Sequence, residues 1–284
     1  MPPGRVRERA VRRSIGIFDS GVGGLTVFRA IRRRLPAEDL VYFGDTAHVP
    51  YGTKSPDTVR RLTLEHVRFL LRRGATCIVV ACNTASATAL AALRRRTRVP
   101  IRGVSGPGVR EALARTRQGR IGVLGTSTTV ASGAYQRALA RQGPRGTRVF
   151  AAACPLFVPL IEEGWAGARV TGEIARRYLA PLRAARVDTV ILGCTHYPIL
   201  KPALGRVLGP RVALVDSAEA VARALQGLLG ERGLLRRPGR TGTERFFLTD
   251  VGGSFRRVAA RFLGRPIPAP RKVNVRVESL HDGL

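Results

Sequence analysis

The sequence predicts an α/β fold in two similar halves, each built on a mainly parallel sheet and facing the other across a central cleft. Three observations predict it. Short apolar runs alternate with amphipathic, arginine-rich segments, the pattern of successive βαβ units whose sheet is covered on both sides. The runs are too many for one ordinary sheet. Two stretches of chain also repeat one order of apolar run, small-residue loop and helix.

Strands are expected at 14–18, 40–43, 77–81, 101–104, 120–124, 148–152, 189–192, 212–215 and 246–248. The stretch 76–93 has no charge, yet Asn83, Thr84, Ser86 and Thr88 break its apolar character, so it reads as a strand and then a helix rather than a membrane span. The repeat sets Ile15-Gly-Ile-Phe-Asp-Ser-Gly against Ile121-Gly-Val-Leu-Gly-Thr-Ser, and Ile78-Val-Val-Ala-Cys-Asn-Thr against Val190-Ile-Leu-Gly-Cys-Thr-His. Each half thus delivers one thiol, Cys82 or Cys194, to a strand's carboxyl end, where open α/β sheets bind ligands. The expected architecture is two pseudo-symmetric flavodoxin-like domains. The first takes residues 14–106 and a returning segment 215–265, and the second takes 107–214. Residues 230–243 read as an exposed loop, and 1–13 and 266–284 as poorly ordered tails, since neither shows an apolar period.

An apolar fraction of 44% over 284 residues supports real cores and excludes general disorder. Arginines at 5, 7, 9, 12 and 13 lack the apolar run of a secretory signal, so a cytoplasmic location is expected. The net charge of +30 raises nucleic acid as a partner. However, the excess is nearly all arginine on helix faces, with Lys54, Lys201 and Lys272 the only lysines and no aromatics interleaved to stack on bases. Weak nucleic-acid association as a by-product is the expectation, with no membrane partner.

The four cysteines are too few and scattered for a disulfide framework. Cys77 and Cys154 read as core thiols. A zinc site from Cys77, Cys82, Cys194 and His196 has no common ligand spacing, so no metal is expected. Cys82 and Cys194 fit a different chemistry. Inverting a carbon centre needs a base on one face and an acid on the other, because a single base returns the proton to the side it left. A thiol beside the first amides of a helix is expected to have a lowered pKa. Asn83 and Thr84 beside one cysteine, and Thr195 and His196 beside the other, supply short polar groups, and His196 can hold a proton next to Cys194. The loop from Asp19 to Gly24 is spaced wrongly for a dinucleotide fingerprint, and its acid would repel a pyrophosphate. Asp19 is either a helix N-cap or an acid placed for an ammonium group or for a proton near Cys82.

Six segments in order, from Gly16-Ile-Phe-Asp-Ser-Gly-Val-Gly-Gly-Leu-Thr-Val through Asp45-Thr-Ala-His-Val-Pro-Tyr-Gly, Ala81-Cys-Asn-Thr-Ala-Ser, Gly125-Thr-Ser-Thr-Thr-Val and Cys154-Pro-Leu-Phe-Val-Pro-Leu-Ile-Glu-Glu-Gly to Leu192-Gly-Cys-Thr-His-Tyr-Pro, resemble the glutamate racemases of the aspartate/glutamate racemase superfamily. The resemblance covers roughly residues 14–263. It implies interconversion of L- and D-glutamate for peptidoglycan synthesis, without pyridoxal phosphate, metal or nucleotide, by an enzyme commonly dimeric. It implies Cys194 as the thiol facing L-glutamate and Cys82 as the one facing D-glutamate, assisted by His196, Asp19 and Glu162. Asp19, Ser20, Tyr51, Gly52, Asn83, Thr84, Thr195 and His196 would contact substrate, with Thr126 and Thr129 near its carboxylate. Aspartate and hydantoin racemases share the two-thiol plan and differ in the side-chain pocket. One departure is His48, where the family usually carries arginine.

Overall fold

The computed structural model describes residues 13–275, apart from 238 and 254. The strands are β1 (Ser14–Asp19), β2 (Asp39–Gly44), β3 (Ala75–Val80), β4 (Ile101–Gly103), β5 (Arg120–Gly125), β6 (Arg148–Ala153), β7 (Thr189–Gly193), β8 (Ala213–Asp216), β9 (Glu244–Leu248) and β10 (Arg271–Lys272). The helices are α1 (Leu25–Arg34), α2 (Pro56–Arg72), α3 (Asn83–Arg96), α4 (Ser105–Arg115), α5 (Ser127–Ala131), α6 (Ala134–Gln142), α7 (Phe157–Glu162), α8 (Arg169–Ala184), α9 (Lys201–Leu208), α10 (Ser217–Glu231) and α11 (Phe255–Leu263). No helix among the described residues is long and apolar enough to cross a membrane.

Two sheets form, with strand orders β10-β9-β2-β1-β3-β4 and β6-β5-β7-β8, and every pairing between described strands is parallel. The segments β2-β1-β3-β4 and β6-β5-β7-β8 repeat one winding: the chain leaves the first strand to one side and then crosses to the other. That crossing opens a crevice between β1 and β3, and again between β5 and β7, which is where doubly wound sheets place ligands. Cys82 follows β3 and Cys194 follows β7, so each thiol stands at one crevice. The pleats are apolar on both faces because helices cover both sides: β1, β2 and β7 are buried along their whole length.

The chain returns to the first sheet through α10, whose apolar face packs with α1. Ile31, Phe28, Val221 and Leu225 belong to a continuous core that also holds Leu192 and Leu124 of the second sheet. The halves therefore share buried apolar surface.

The nine strands expected from the sequence all form, most of them one or two residues longer than expected. The tenth was not anticipated. Past residue 266, Ile267 is buried and Arg271–Lys272 pairs with Phe247 and Leu248, so this part of the expected tail belongs to the fold. The remainder, 276–284, and residues 1–12 lie outside the described residues. The expected loop at 230–243 begins later, because Gly230 and Glu231 finish α10.

That loop is also anchored. Asp39 Oδ1 accepts from the Thr243 amide at 2.7 Å and from Arg240 at 2.9 Å, and Arg236 meets Asp39 Oδ2 at 2.7 Å. Burial alone would raise the Asp39 carboxyl, but the Thr243 hydrogen bonds and the two guanidiniums outweigh it and hold the pKa below the usual carboxylate range. A carboxyl depressed in the folded state stabilises above its unfolded pKa, and that contribution is lost as pH falls through the folded value. Asp39→Ala is therefore expected to cost about 1–3 kcal/mol at neutral pH, seen as a lower Tm, with the difference from wild type shrinking in acid. Equal Tm values at neutral pH would contradict the anchoring.

Candidate active site

The carboxyl ends of β1, β3, β5 and β7 converge on a cavity of about 370 Å³. Both Cys82 and Cys194 line it, together with Ser20, Tyr51, Gly52, Asn83, Thr84, Thr126, Glu162, Thr195 and His196. Eleven of the thirteen residues singled out in the sequence thus surround one space. Asp19 and Thr129 stand behind the wall. Asp19 is buried against the loop amides and bears on Cys82 electrostatically, and Thr129 reaches the cavity only through Thr84 Oγ1 at 3.2 Å and Thr126 Oγ1 at 3.0 Å.

Contacts that leave no slack hold the halves around this space. A Cβ on Gly23 would fall 2.4 Å from the His196 ring and from Thr195 Oγ1, so only glycine lets the β1–α1 loop approach the Cys194 loop so closely. Gly52 faces Thr126 in the same way, at 2.7 Å. Thr26 Oγ1 donates to the Thr195 carbonyl at 2.9 Å, Thr84 and Thr126 hydroxyls meet at 3.1 Å, and Thr128 donates to the Gly52 carbonyl at 2.7 Å.

The two thiols differ in their surroundings. Cys82 is the N-cap of α3 and accepts from the Ala85 amide at 3.5 Å. The expected lowering of its pKa does not follow. Burial pushes the thiol up to about 12, the nearby Asp19 charge adds to this, and the Ser20 hydroxyl and Ala85 amide only partly oppose it. Asp19 is itself raised, chiefly by burial, although its Oδ2 accepts from the Gly21 amide at 3.0 Å and the Gly24 and Ser20 amides also favour the anion. Gly24, not Asp19, occupies the N-cap of α1, and no side chain caps that helix.

Around Cys194 the field has the opposite sign. His196 Nδ1 lies 3.8 Å from Cys194 Sγ, and Nε2 lies 2.8 Å from Glu162 Oε1. Burial would lower the imidazole pKa, but hydrogen bonds to Cys194 and Glu162 and the negative charge on both raise it to about 10. These partners favour the imidazolium form of His196, which is a fit partner for a thiolate. Cys77 and Cys154 are core thiols, raised to about 12 mainly by burial. No group of three or more His, Cys, Asp or Glu side chains among the described residues gathers as metal ligands do.

Chain comparison agrees with this geometry. The sequence model of the Asp/Glu/Hydantoin racemase family matches residues 15–225. The chain belongs to that family. A curated relative named glutamate racemase, from Geobacter metallireducens, is 52% identical over 266 residues, which is 94% of this chain and 98% of the relative. A crystal structure of a glutamate racemase isoform from Bacillus anthracis superposes with a TM-score of 0.89 at 38% identity, covering 94% of this chain and 99% of the other. The Francisella tularensis glutamate racemase in complex with D-glutamate gives 0.87 at 34% identity, covering 93% and 98%.

Sequence reasoning missed the wall that Val49, Pro50, Pro155, Val158 and Pro159 add; the last three come from the segment in which only Cys154 and Glu162 had been given a role. It also missed where Tyr51 points. The ring lines the cavity, but the hydroxyl turns away and donates to Asp45 Oδ2 at 2.7 Å. Asp45 Oδ1 accepts from Thr249 at 2.8 Å and meets His48 Nδ1 at 2.8 Å, so His48 keeps a polar tie to this loop. His66, close by, is driven down to about 4, first by burial, and stays neutral.

The His196–Glu162 contact makes a pH prediction. Glu162→Gln removes the charge that helps hold the imidazolium, so the alkaline limb of kcat/KM for racemisation is expected to move to lower pH by about one unit or more. An unmoved limb would show that Glu162 does not tune His196.

Proposed function

We propose that this enzyme interconverts L- and D-glutamate by proton transfer at the α-carbon between Cys194 and Cys82, with no organic cofactor or metal. The observation that carries this reading is one cavity lined by two thiols from equivalent strand ends of the two sheets. The Francisella relative, solved in complex with D-glutamate, supports the choice of substrate.

From L-glutamate, the Cys194 thiolate takes the α-proton, forming its S–H bond while the electron pair of the C–H bond passes into the carbanion and its carboxylate. Cys82 then gives its S–H proton to the opposite face and is left as thiolate, and D-glutamate is the product. The reverse reaction exchanges these roles. The resting electrostatics suit the first direction: a charged His196 beside Cys194 stabilises a thiolate, and burial near Asp19 keeps Cys82 protonated. When Cys82 becomes the base, Asp19, itself raised by burial, is the group beside it able to take up or return a proton.

Deprotonation adds negative charge to a molecule already carrying carboxylates, so it needs donors aimed at the growing charge. Asn83, Thr84, Ser20, Thr126 and Thr195 are the cavity-lining candidates, Thr129 stands behind Thr84 and Thr126, and a single well-placed donor contributes about 3 kcal/mol. Val22, Val49, Pro155 and Val158 supply the apolar wall that strengthens those interactions by excluding water.

The same reading puts the enzyme in the cytoplasm as a homodimer supplying D-glutamate to peptidoglycan synthesis; its free thiols suit a reducing compartment. The charge of +30 would give it only weak, salt-sensitive association with nucleic acid.

The test follows loss of the α-deuterium of labelled L-glutamate in ordinary water, alongside formation of the D-enantiomer. Wild type is expected to do both, and Cys82→Ala and Cys194→Ala are each expected to lose racemisation by about a thousand-fold or more. Racemisation that persists with both cysteines replaced would overturn the mechanism.

A further inference from the structure

Tyr135 touches both thiol-bearing loops from behind the cavity. It is the second residue of α6 and is fully buried. Just before it, Gly133 has φ of +61°, which turns the chain from α5 into α6 and sends the ring back toward the sheet. The ring edge packs at Gly193, the residue preceding Cys194, where a Cβ would stand 3.3 Å from Tyr135 Cε2. The hydroxyl donates to Asn83 Oδ1 at 2.5 Å, and Asn83 directly follows Cys82. One side chain of the second half thus bears on the residue next to each thiol.

What this does to Asn83 follows from the inventory of an amide, which has one acceptor oxygen and one NH₂ donor and can be rotated to interchange them. Asn83 lines the cavity, its oxygen is occupied by Tyr135, and its Nδ2 is buried without a partner among the described residues. Burial raises the pKa of the Tyr135 phenol, so its proton is always present to donate. The phenol, which also has Ser217 as a hydrogen-bond partner, donates to the amide oxygen in the observed arrangement, and that orientation leaves NH₂ free.

We propose that Tyr135 is a positioning residue that locks the Asn83 amide with its NH₂ available to a carboxylate of the substrate. This rests on the reading of the cavity as the glutamate site. Without the hydroxyl, the amide rotates freely and presents oxygen, which repels a carboxylate, in part of the population.

The test measures KM and kcat for both enantiomers, with glutamate affinity by calorimetry in a Cys194→Ala background that does not depend on turnover. Tyr135→Phe keeps the ring against Gly193 and removes only the hydroxyl. It is expected to raise KM and Kd about ten-fold, with a smaller change in kcat and a Tm close to wild type. In an Asn83→Ala background it is expected to add nothing further. Asn83→Asp, which keeps an acceptor for Tyr135 but loses the NH₂ donor, is expected to weaken binding at least as much.

Unchanged KM and Kd in Tyr135→Phe, full additivity with Asn83→Ala, or wild-type affinity in Asn83→Asp would each overturn the role of Tyr135 while leaving the racemase reading intact. Failure of the Cys194→Ala protein and wild type alike to bind glutamate would sink both.

Discussion

The arrangement depends on two parallel sheets meeting at the carboxyl ends of their strands with no space for slippage. Two thiols from different sheets can share one carbon atom only if the sheets approach closely, and glycine at 23 and 52 is what permits the approach. The hydroxyls of Thr26, Thr84 and Thr128 then satisfy polar atoms across the junction. A core running from α1 and α10 into the second sheet adds apolar burial to the same junction. Site geometry and domain packing are therefore one problem: the residues that close the cavity also hold the halves together.

Within that frame the chemistry is asymmetric although the backbone is repeated. Both cysteines follow the third strand of a four-strand winding, yet one neighbour is a buried acid and the other a buried imidazole paired with a carboxylate. A helix N-terminus was expected to lower the Cys82 thiol, and it does not prevail. The Ala85 amide and the Ser20 hydroxyl favour the anion, but removing the sulfur from water and placing Asp19 nearby penalise it more. Burial acts on His196 as well, but there two negative partners outweigh it. A pseudo-symmetric scaffold thus surrounds its two thiols with fields of opposite sign, an asymmetry that suits the proposed two-sided proton transfer.

Much of this was legible in the sequence for identifiable reasons. Strands buried on both faces are written as unbroken apolar runs, and the repeat exposed Cys82 and Cys194 as equivalent positions. Strand β10 was illegible because its two residues are both cations, and only its place beside β9 makes it a strand. Tyr51 was assigned to the site by resemblance, but its hydroxyl turns toward Asp45, a partner six positions away that no spacing rule selects. Tyr135 carried no local signal at all. A lone aromatic near the start of an amphipathic helix reads as core, and its contacts with Gly193 and Asn83 exist only after the two halves dock.

A crystal structure with glutamate bound would show directly whether the two sulfurs face one carbon. One substrate molecule is expected in the cavity, its α-carbon between the two sulfurs on opposite faces and about 3.5 Å from each. Glutamate bound elsewhere, or bound with both sulfurs on the same side of the α-carbon, would contradict this arrangement.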